Sequence, residues 1–103
     1  MASVILLNNV TATGASPATN TGDATVMAFQ AVGQTTSGSG AATIEIDVSN
    51  DGVNWLALGI ITLSLSTTPS TDGFSSTAPW AFTRADVKSI SGSGASVSVL
   101  LGV

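Results

Sequence analysis

The chain has 103 residues, of which only 8% are charged, and six acids against two cations give a formal net charge of −4. Two cations cannot build a basic patch, which excludes proteins that bind nucleic-acid backbones. Histidine and cysteine are absent, which excludes imidazole and thiolate catalysis, disulfide bonds and ordinary zinc sites.

The first predicted strand is apolar on both faces. Residues 4–7 break the alternation of apolar and polar side chains, and residues 99–101 do the same at the other end of the chain. A strand that is apolar on both faces needs cover on both faces. We therefore expect a partner subunit to supply part of that cover by contacting Ile5, Leu6, Leu7, Leu100 and Leu101.

The amino-terminal segment does not have the sequence pattern of a secretion signal. It lacks the positively charged start and the long apolar core of a signal peptide. No stretch of the sequence approaches the roughly 18 apolar residues of a membrane span. We expect the protein to be made in a cytoplasm and to have no membrane as a partner.

The first half of the chain contains one segment of low sequence complexity and, after it, two predicted strands. Residues 11–24 carry no large apolar side chain and predict an extended arm or a long loop. Residues 25–32 are apolar and β-favouring, and they predict a strand. Residues 43–48 alternate apolar side chains with a hydroxyl and two carboxylates, which predicts a strand with one buried and one wet face.

The pentapeptide Ser-Gly-Ser-Gly-Ala occurs twice, at residues 37–41 and 91–95, each time before a predicted strand. We predict a turn at both copies. The apolar residues that follow lie one position out of register between the copies, which places them on opposite faces. The repeat therefore indicates one turn solution used twice and not a duplicated domain.

Residues 49–52, Ser-Asn-Asp-Gly, predict a hairpin tip because Asn and Asp side chains bond nearby backbone and Gly permits positive φ. Residues 47–52 also match the opening of a calcium-binding loop. Leu58, however, stands where that loop needs its bidentate glutamate. We therefore predict a hairpin tip without a metal.

A strand at residues 61–66 leads into a second long connection, at residues 67–79, which is rich in serine and threonine. We predict a crossover between two sheets, with a functional loop as the alternative. Phe74 lies in this segment, where it either plugs the end of the sandwich or contacts a partner.

Alternation resumes at residues 80–85 and 97–100, which predict the last strands. The whole pattern indicates six to eight short strands in one domain that comprises residues 1–103. The predicted fold class is all-β, an antiparallel β-sandwich of jelly-roll or immunoglobulin-like type.

Glu45 and Asp47 are the acids best placed for catalysis, because they point from one strand face about 7 Å apart. That separation is near the one used by inverting glycosidases. A catalytic acid needs burial to raise its pKa, whereas the alternation places both residues on the wet face. No histidine is present to activate a serine. We predict no enzyme, no catalytic residue and no cofactor.

Aromatic residues offer a different kind of site. We expect Trp55 and Trp80 to anchor the core; the alternative is that they form, with Phe74, a platform on which a carbohydrate stacks. Arg84 shares a strand face with Trp80 and Phe82, where it can stack on a ring and pair with a carboxylate. We predict that Arg84 is a structural clamp, with an interface contact as the alternative.

Three segments together resemble small structural proteins of tailed bacteriophages. They are residues 48–55 (VSNDGVNW), residues 80–85 (WAFTRA), and residues 90–95 (ISGSGA) with the alternating strand that follows. The resemblance is to β-sandwich proteins that decorate or cement capsids or that lie near the head–tail region. It implies a virion location after synthesis in the host cytoplasm, a homo-oligomer, and the major capsid protein or another virion subunit as partner.

We therefore predict a structural virion protein, a capsid decoration or cement protein that stabilises the shell through its apolar termini and the Phe74 segment. One alternative is a tail or head–tail component, such as a tube or fibre module. A further alternative is a carbohydrate-binding or adhesin module, because the hairpin at residues 49–55 also resembles a shortened Asp-box of sialidases.

Overall fold

The computed structural model describes residues 3–22, 24–77 and 80–103, and within these ranges it has nine strands and no helix. All strand pairs are antiparallel. The predicted all-β antiparallel sandwich is thereby confirmed. The strands are β1 (Ser3–Val10), β2 (Gly14–Ala15), β3 (Thr19–Asn20), β4 (Met27–Gln34), β5 (Ser37–Ser49), β6 (Leu56–Leu65), β7 (Ser70–Ser76), β8 (Phe82–Ser93) and β9 (Ser96–Gly102).

The strand pairing is nested: strands near the start of the chain pair with strands near its end, and the middle strands pair with each other. β1 pairs with β9, β2 and β3 pair with β8, β4 pairs with β7, and β5 pairs with β6. Pairing of β4 with β9 and of β5 with β8 joins these ribbons into sheets of order β1-β9-β4-β7 and β2-β8-β5-β6. With β2 and β3 taken as one interrupted strand, this nesting of first with last is a jelly roll, one of the two sandwich types that the sequence predicted.

The core lies between the inner faces of the two sheets and follows the period-two pattern. On β5, Ile44 and Ile46 are fully buried, whereas Thr43 and Glu45 between them are partly exposed. β9 alternates in the same way from Val97 onward, as the sequence predicted. The core residues are Leu6, Leu7, Met27, Phe29, Ala31, Ala42, Ile44, Ile46, Ile61, Leu63, Leu65, Ala85, Val87, Ala95, Val97, Val99 and Leu101.

The two copies of Ser-Gly-Ser-Gly-Ala lie side by side across β5 and β8, where Ser37 pairs with Ser93 and Ala41 with Ser91. A Cβ added at Gly40 would overlap the backbone oxygen of Ser91, so only glycine permits this approach. Ala41 is exposed whereas Ala95 is buried, which confirms that the copies present opposite faces. The turn predicted at residues 37–41 is wrong, because they form an irregularly paired start of β5.

Both long connections turn out to contain paired backbone. Residues 70–76 form β7, in which Phe74 lies opposite Phe29 of β4, so a connection over the whole of residues 67–79 is wrong. Alternation did not reveal this strand because its other side chains are Ser, Thr, Asp and Gly. Within residues 11–24, β2 and β3 pair with β8 of the same chain. There the Ser16 amide donates to the Ala85 carbonyl (2.7 Å), and the Ala85 amide donates to Ser16 Oγ (3.0 Å).

Candidate interaction surfaces

Ile5 and Leu100 form a cross-strand pair between β1 and β9. Val99 and Leu101 point into the core, so Leu100 between them points to the outer face of the β1-β9-β4-β7 sheet. Ile5 is 62% exposed and Leu100 is partly exposed. These two predicted interface residues therefore share one exposed apolar surface.

The other apolar residues of the termini are covered by the chain itself. Leu6 and Leu7 are 7% and 8% exposed, and Leu101 is fully buried. An irregular register between Ile5 and Leu7 allows two consecutive leucines to enter the core. A partner subunit is not needed to bury these three leucines, contrary to our expectation, because the opposite sheet covers them.

Phe74 points into the sandwich from β7. Its ring centroid lies 5.2 Å from that of Phe29 at a tilt of 39°, and the ring occupies the space above Gly59 of β6. A Cβ at Gly59 would lie 2.7 Å from this ring. This placement corresponds to the first alternative, in which Phe74 closes the edge of the sandwich between β6 and β7.

Arg84 is the clamp that its position in the sequence predicted. Its Nε donates to Asp47 Oδ2 across the β5–β8 pair at 3.1 Å. Its guanidinium carbon lies 4.4 Å from the ring centroid of Trp55, where the cation attracts the π face. One face of Trp55 is thus occupied by Arg84, so the ring is not free on that side to stack on a sugar.

Trp80 has a separate environment. Its ring is partly buried and packs against the core, and its carbonyl accepts a hydrogen bond from Thr21 Oγ1 at 2.9 Å. Phe74 packs on Phe29, and Trp55 stacks with Arg84, so each of the three proposed platform aromatics has its own structural contact.

Glu45 and Asp47 both lie on the outer face of their sheet, as the alternation predicts, but Asp47 is buried there and not exposed to water. Asp47 is only 2% exposed and is bonded by Arg84, and its Oδ1 is the buried side-chain oxygen without a hydrogen-bond partner in the described part of the chain. The neighbouring Asp47 carboxylate, as a hydrogen-bond acceptor, raises the pKa of Glu45, and partial burial and charge repulsion add to the effect.

Lys88 balances the rest of this cluster. Its Nζ lies 2.7 Å from Asp86 Oδ2 and 3.9 Å from Glu45 Oε1, and its hydrogen bond to Asp86 raises the pKa of the lysine. Five of the eight charged residues thus lie together on the outer face of the β5–β8 pair. The sequence showed Glu45 and Asp47 on one face but gave no sign of their different burial.

The hairpin tip between β5 and β6 is organised by Asp51. Its carboxylate accepts hydrogen bonds from the amides of Val53 and Asn54, both at 2.8 Å, and from Asn54 Nδ2 at 2.9 Å. The Asn54 side chain, these amides and the Ser49 hydroxyl lower the pKa of Asp51. The predicted Asx-stabilised tip is confirmed, and its carboxylate is used by its own loop. Among the described residues, no group of three acids is placed to hold a metal ion.

β6 carries a surface that periodicity did not single out. Leu56 is 49% exposed and Ile60 is 60% exposed, and Val53 in the preceding tip is 77% exposed. The signal was the doublet at residues 60–61, since two consecutive isoleucines on a strand cannot both face inward without a bulge. Ile61 faces the core and Ile60 faces out.

Comparison with known proteins identifies a fold relative. No family model and no curated protein matches the chain. Its structure is similar to the crystal structure of PBSX exported protein XepA, with a TM-score of 0.59 and 9% sequence identity. The similarity covers 97% of this chain and 36% of XepA, so the chain spans little more than a third of that protein. At this identity the similarity concerns the fold.

The secondary structure also bears on membrane insertion. Among the described residues, there is no helix with the length and apolarity needed to cross a bilayer.

Proposed function

We propose that this chain is a non-enzymatic structural protein of a phage virion, and more narrowly a capsid decoration or cement protein. In this role it binds the major capsid protein and stabilises the shell. The observation that carries the proposal is the fold similarity over 97% of the chain to XepA, a protein of the phage PBSX. The resemblance of residues 43–103 to phage virion proteins supports the same role.

The distribution of charge supports assembly as the function. Residues 52–71 and 89–103 contain no charged side chain, and Ser and Thr supply most of the polar surface. Neutral hydroxyl surfaces lose less hydration energy on contact than charged ones. The Ile5–Leu100 pair adds an apolar contact on the outer face of one sheet. We assign this pair to the contact with the major capsid protein or another virion subunit.

The acids support a non-enzymatic role. Asp47 is bound by Arg84, Asp86 is bound by Lys88, and Asp51 is bound by its own loop. A general acid or base must reach a substrate proton. Carboxylates that are already committed to structural partners are poor candidates for that task, and the proposal includes no cofactor.

The test is binding to genome-filled heads that lack the chain. Purified protein should bind to such heads at saturating stoichiometry and raise their resistance to heat or to chelators. Ile5→Lys, at a site 62% exposed, should fold normally and weaken head binding by on the order of tenfold or more. Heads that neither bind the protein nor gain resistance would contradict decoration, and binding to tails in place of heads would favour the tail or head–tail alternative.

A further inference from the structure

Three of the four edges of the two sheets carry features that oppose pairing with another strand. β1 has an irregular register and a residue with positive φ, Asn9. β7 carries the exposed charge of Asp72 at its centre. The edge beside β8 consists of two strands of two residues each, separated by a segment that contains Pro17. Short strands, irregular pairing, proline and charge are the devices by which natural sheets protect their edges.

The fourth edge, β6, has only one of these devices, a single bulge. It is ten residues long and contains no charge and no proline. Its one bulge lies near its start, opposite residues 46–47 of β5. In the described part of the chain, β6 pairs only with β5, and Ser70 Oγ caps the carbonyl of Ser64 at 2.8 Å. Residues 56–63 therefore offer edge backbone that is regularly paired from Gly59 onward, and the Ile60 side chain on it is exposed on the outer face.

We propose that β6 pairs in antiparallel fashion with β6 of a second copy of this chain about a twofold axis, which joins the two β2-β8-β5-β6 sheets into one. This self-association goes beyond the proposed contact with the capsid protein and is separate from it.

The absence of charge on β6 argues for a second copy as the occupant. A twofold contact places each strand against itself, so any charged residue near the axis meets a like charge. At β7 such a contact would bring two Asp72 carboxylates together, whereas β6 has no charge to repel. The same twofold keeps the outer faces of the two sheets on one side, so the Ile60 side chains of both copies lie on one continuous surface. The dimer thereby reduces the exposure of a side chain that is 60% exposed in the single chain.

The test is sedimentation of the purified full chain over micromolar to submillimolar concentrations. The wild type should approach twice the chain mass of 10.1 kDa. Ile60→Lys should weaken self-association by on the order of tenfold or more, because it places like charges across the twofold. Ile5→Lys is the matched control, since Ile5 is 62% exposed on an edge strand of the other sheet, and it should dimerise like the wild type. Circular dichroism and thermal unfolding should show that both variants fold.

Hydrogen exchange provides a second readout. Amides of residues 56–63 should exchange more slowly in the wild type than in Ile60→Lys. The exchange rates of amides in β5 and β8 should be the same in both proteins. A wild type that stays monomeric, a ring or filament in place of a dimer, or a folded Ile60→Lys that dimerises normally would each overturn the proposal. Because the assay contains no virion component, its failure leaves the head-binding result unaffected, and failure of head binding leaves the dimer unaffected.

Discussion

At the scale of single residues, Asp47 belongs to the cluster on the β5–β8 pair that holds five of the eight charged residues. Its carboxylate is buried between Arg84, which donates to Oδ2, and Glu45, whose pKa it raises. A buried carboxylate is tolerated only while a partner compensates its charge. The Arg84 guanidinium, held against Trp55, is that partner.

Replacing Arg84 should therefore destabilise the fold strongly. Arg84→Ala leaves Asp47 charged and unpaired at 2% exposure, and we expect a loss of about 3 kcal/mol in the free energy of unfolding. Urea denaturation measures this loss. The double variant Arg84→Ala/Asp47→Ala also removes the unpaired Asp47 carboxylate, and it should recover part of the lost free energy of unfolding. A single variant as stable as the wild type would show that Asp47 does not depend on Arg84.

Glu45 should make stability depend on pH in an unusual direction for an acid. Because its pKa in the fold lies above the ordinary value of 4.5, its stabilising contribution is complete below that value and is lost as pH rises through the raised pKa. The charged groups around it are Asp47 on its own strand and Asp86, Lys88 and Arg84 on β8.

Glu45→Gln tests this assignment, since an amide does not ionise and keeps a donor group beside Asp47 at every pH. The variant should be more stable than the wild type at neutral pH, and the two should converge in acid. The readout is the urea midpoint as a function of pH. A variant that is less stable at neutral pH would mean that the ion pair of Glu45 with Lys88 outweighs the contact with Asp47.

At the scale of elements, the β5–β8 pair holds the longest ladder in the molecule. Its end is the place where the two Ser-Gly-Ser-Gly-Ala copies meet, and Gly40 there approaches the Ser91 carbonyl closely. The glycines of the repeat thus serve the contact between two strands, in addition to the turn within the second copy.

Gly40→Ala should disturb this contact. The added methyl group meets backbone, which cannot rotate away, so we expect a loss of about 1–3 kcal/mol in the free energy of unfolding. Gly22→Ala is the control, because its Cβ would meet only the Asn20 side-chain oxygen, at 3.3 Å. Thermal unfolding measures both variants. Equal stability of the two would contradict the close packing of the repeats.

The strands differ in how well the local sequence predicts them, and the reasons are physical. β5 and β9 were predictable because alternate side chains enter one core. β7 was missed because it is an edge strand with one large apolar residue, Phe74. Parity correctly placed Asp47 on the outer face, but its ion pair with Arg84 joins residues that are 37 positions apart, on β5 and β8. The exposure of the β6 edge follows from strand order, which local periodicity does not encode.

At the scale of the whole molecule, the chain is a flat body with principal extents of 40 × 27 × 17 Å. Its charges are concentrated on one sheet face, whereas the outer face of the other sheet carries the Ile5–Leu100 pair and the β6 edge is neutral. We propose that Ile5 faces the capsid and that β6 faces a second copy of the chain. The net charge of −4 favours solubility before assembly.

The most direct test of the account is an electron-microscopy map of the phage particle that carries this chain. The account predicts a jelly-roll density on the outer surface of the head, in contact with the major capsid protein through the face that contains Ile5 and Leu100. A particle whose head lacks this density, with the chain in the tail or absent from the virion, would contradict it.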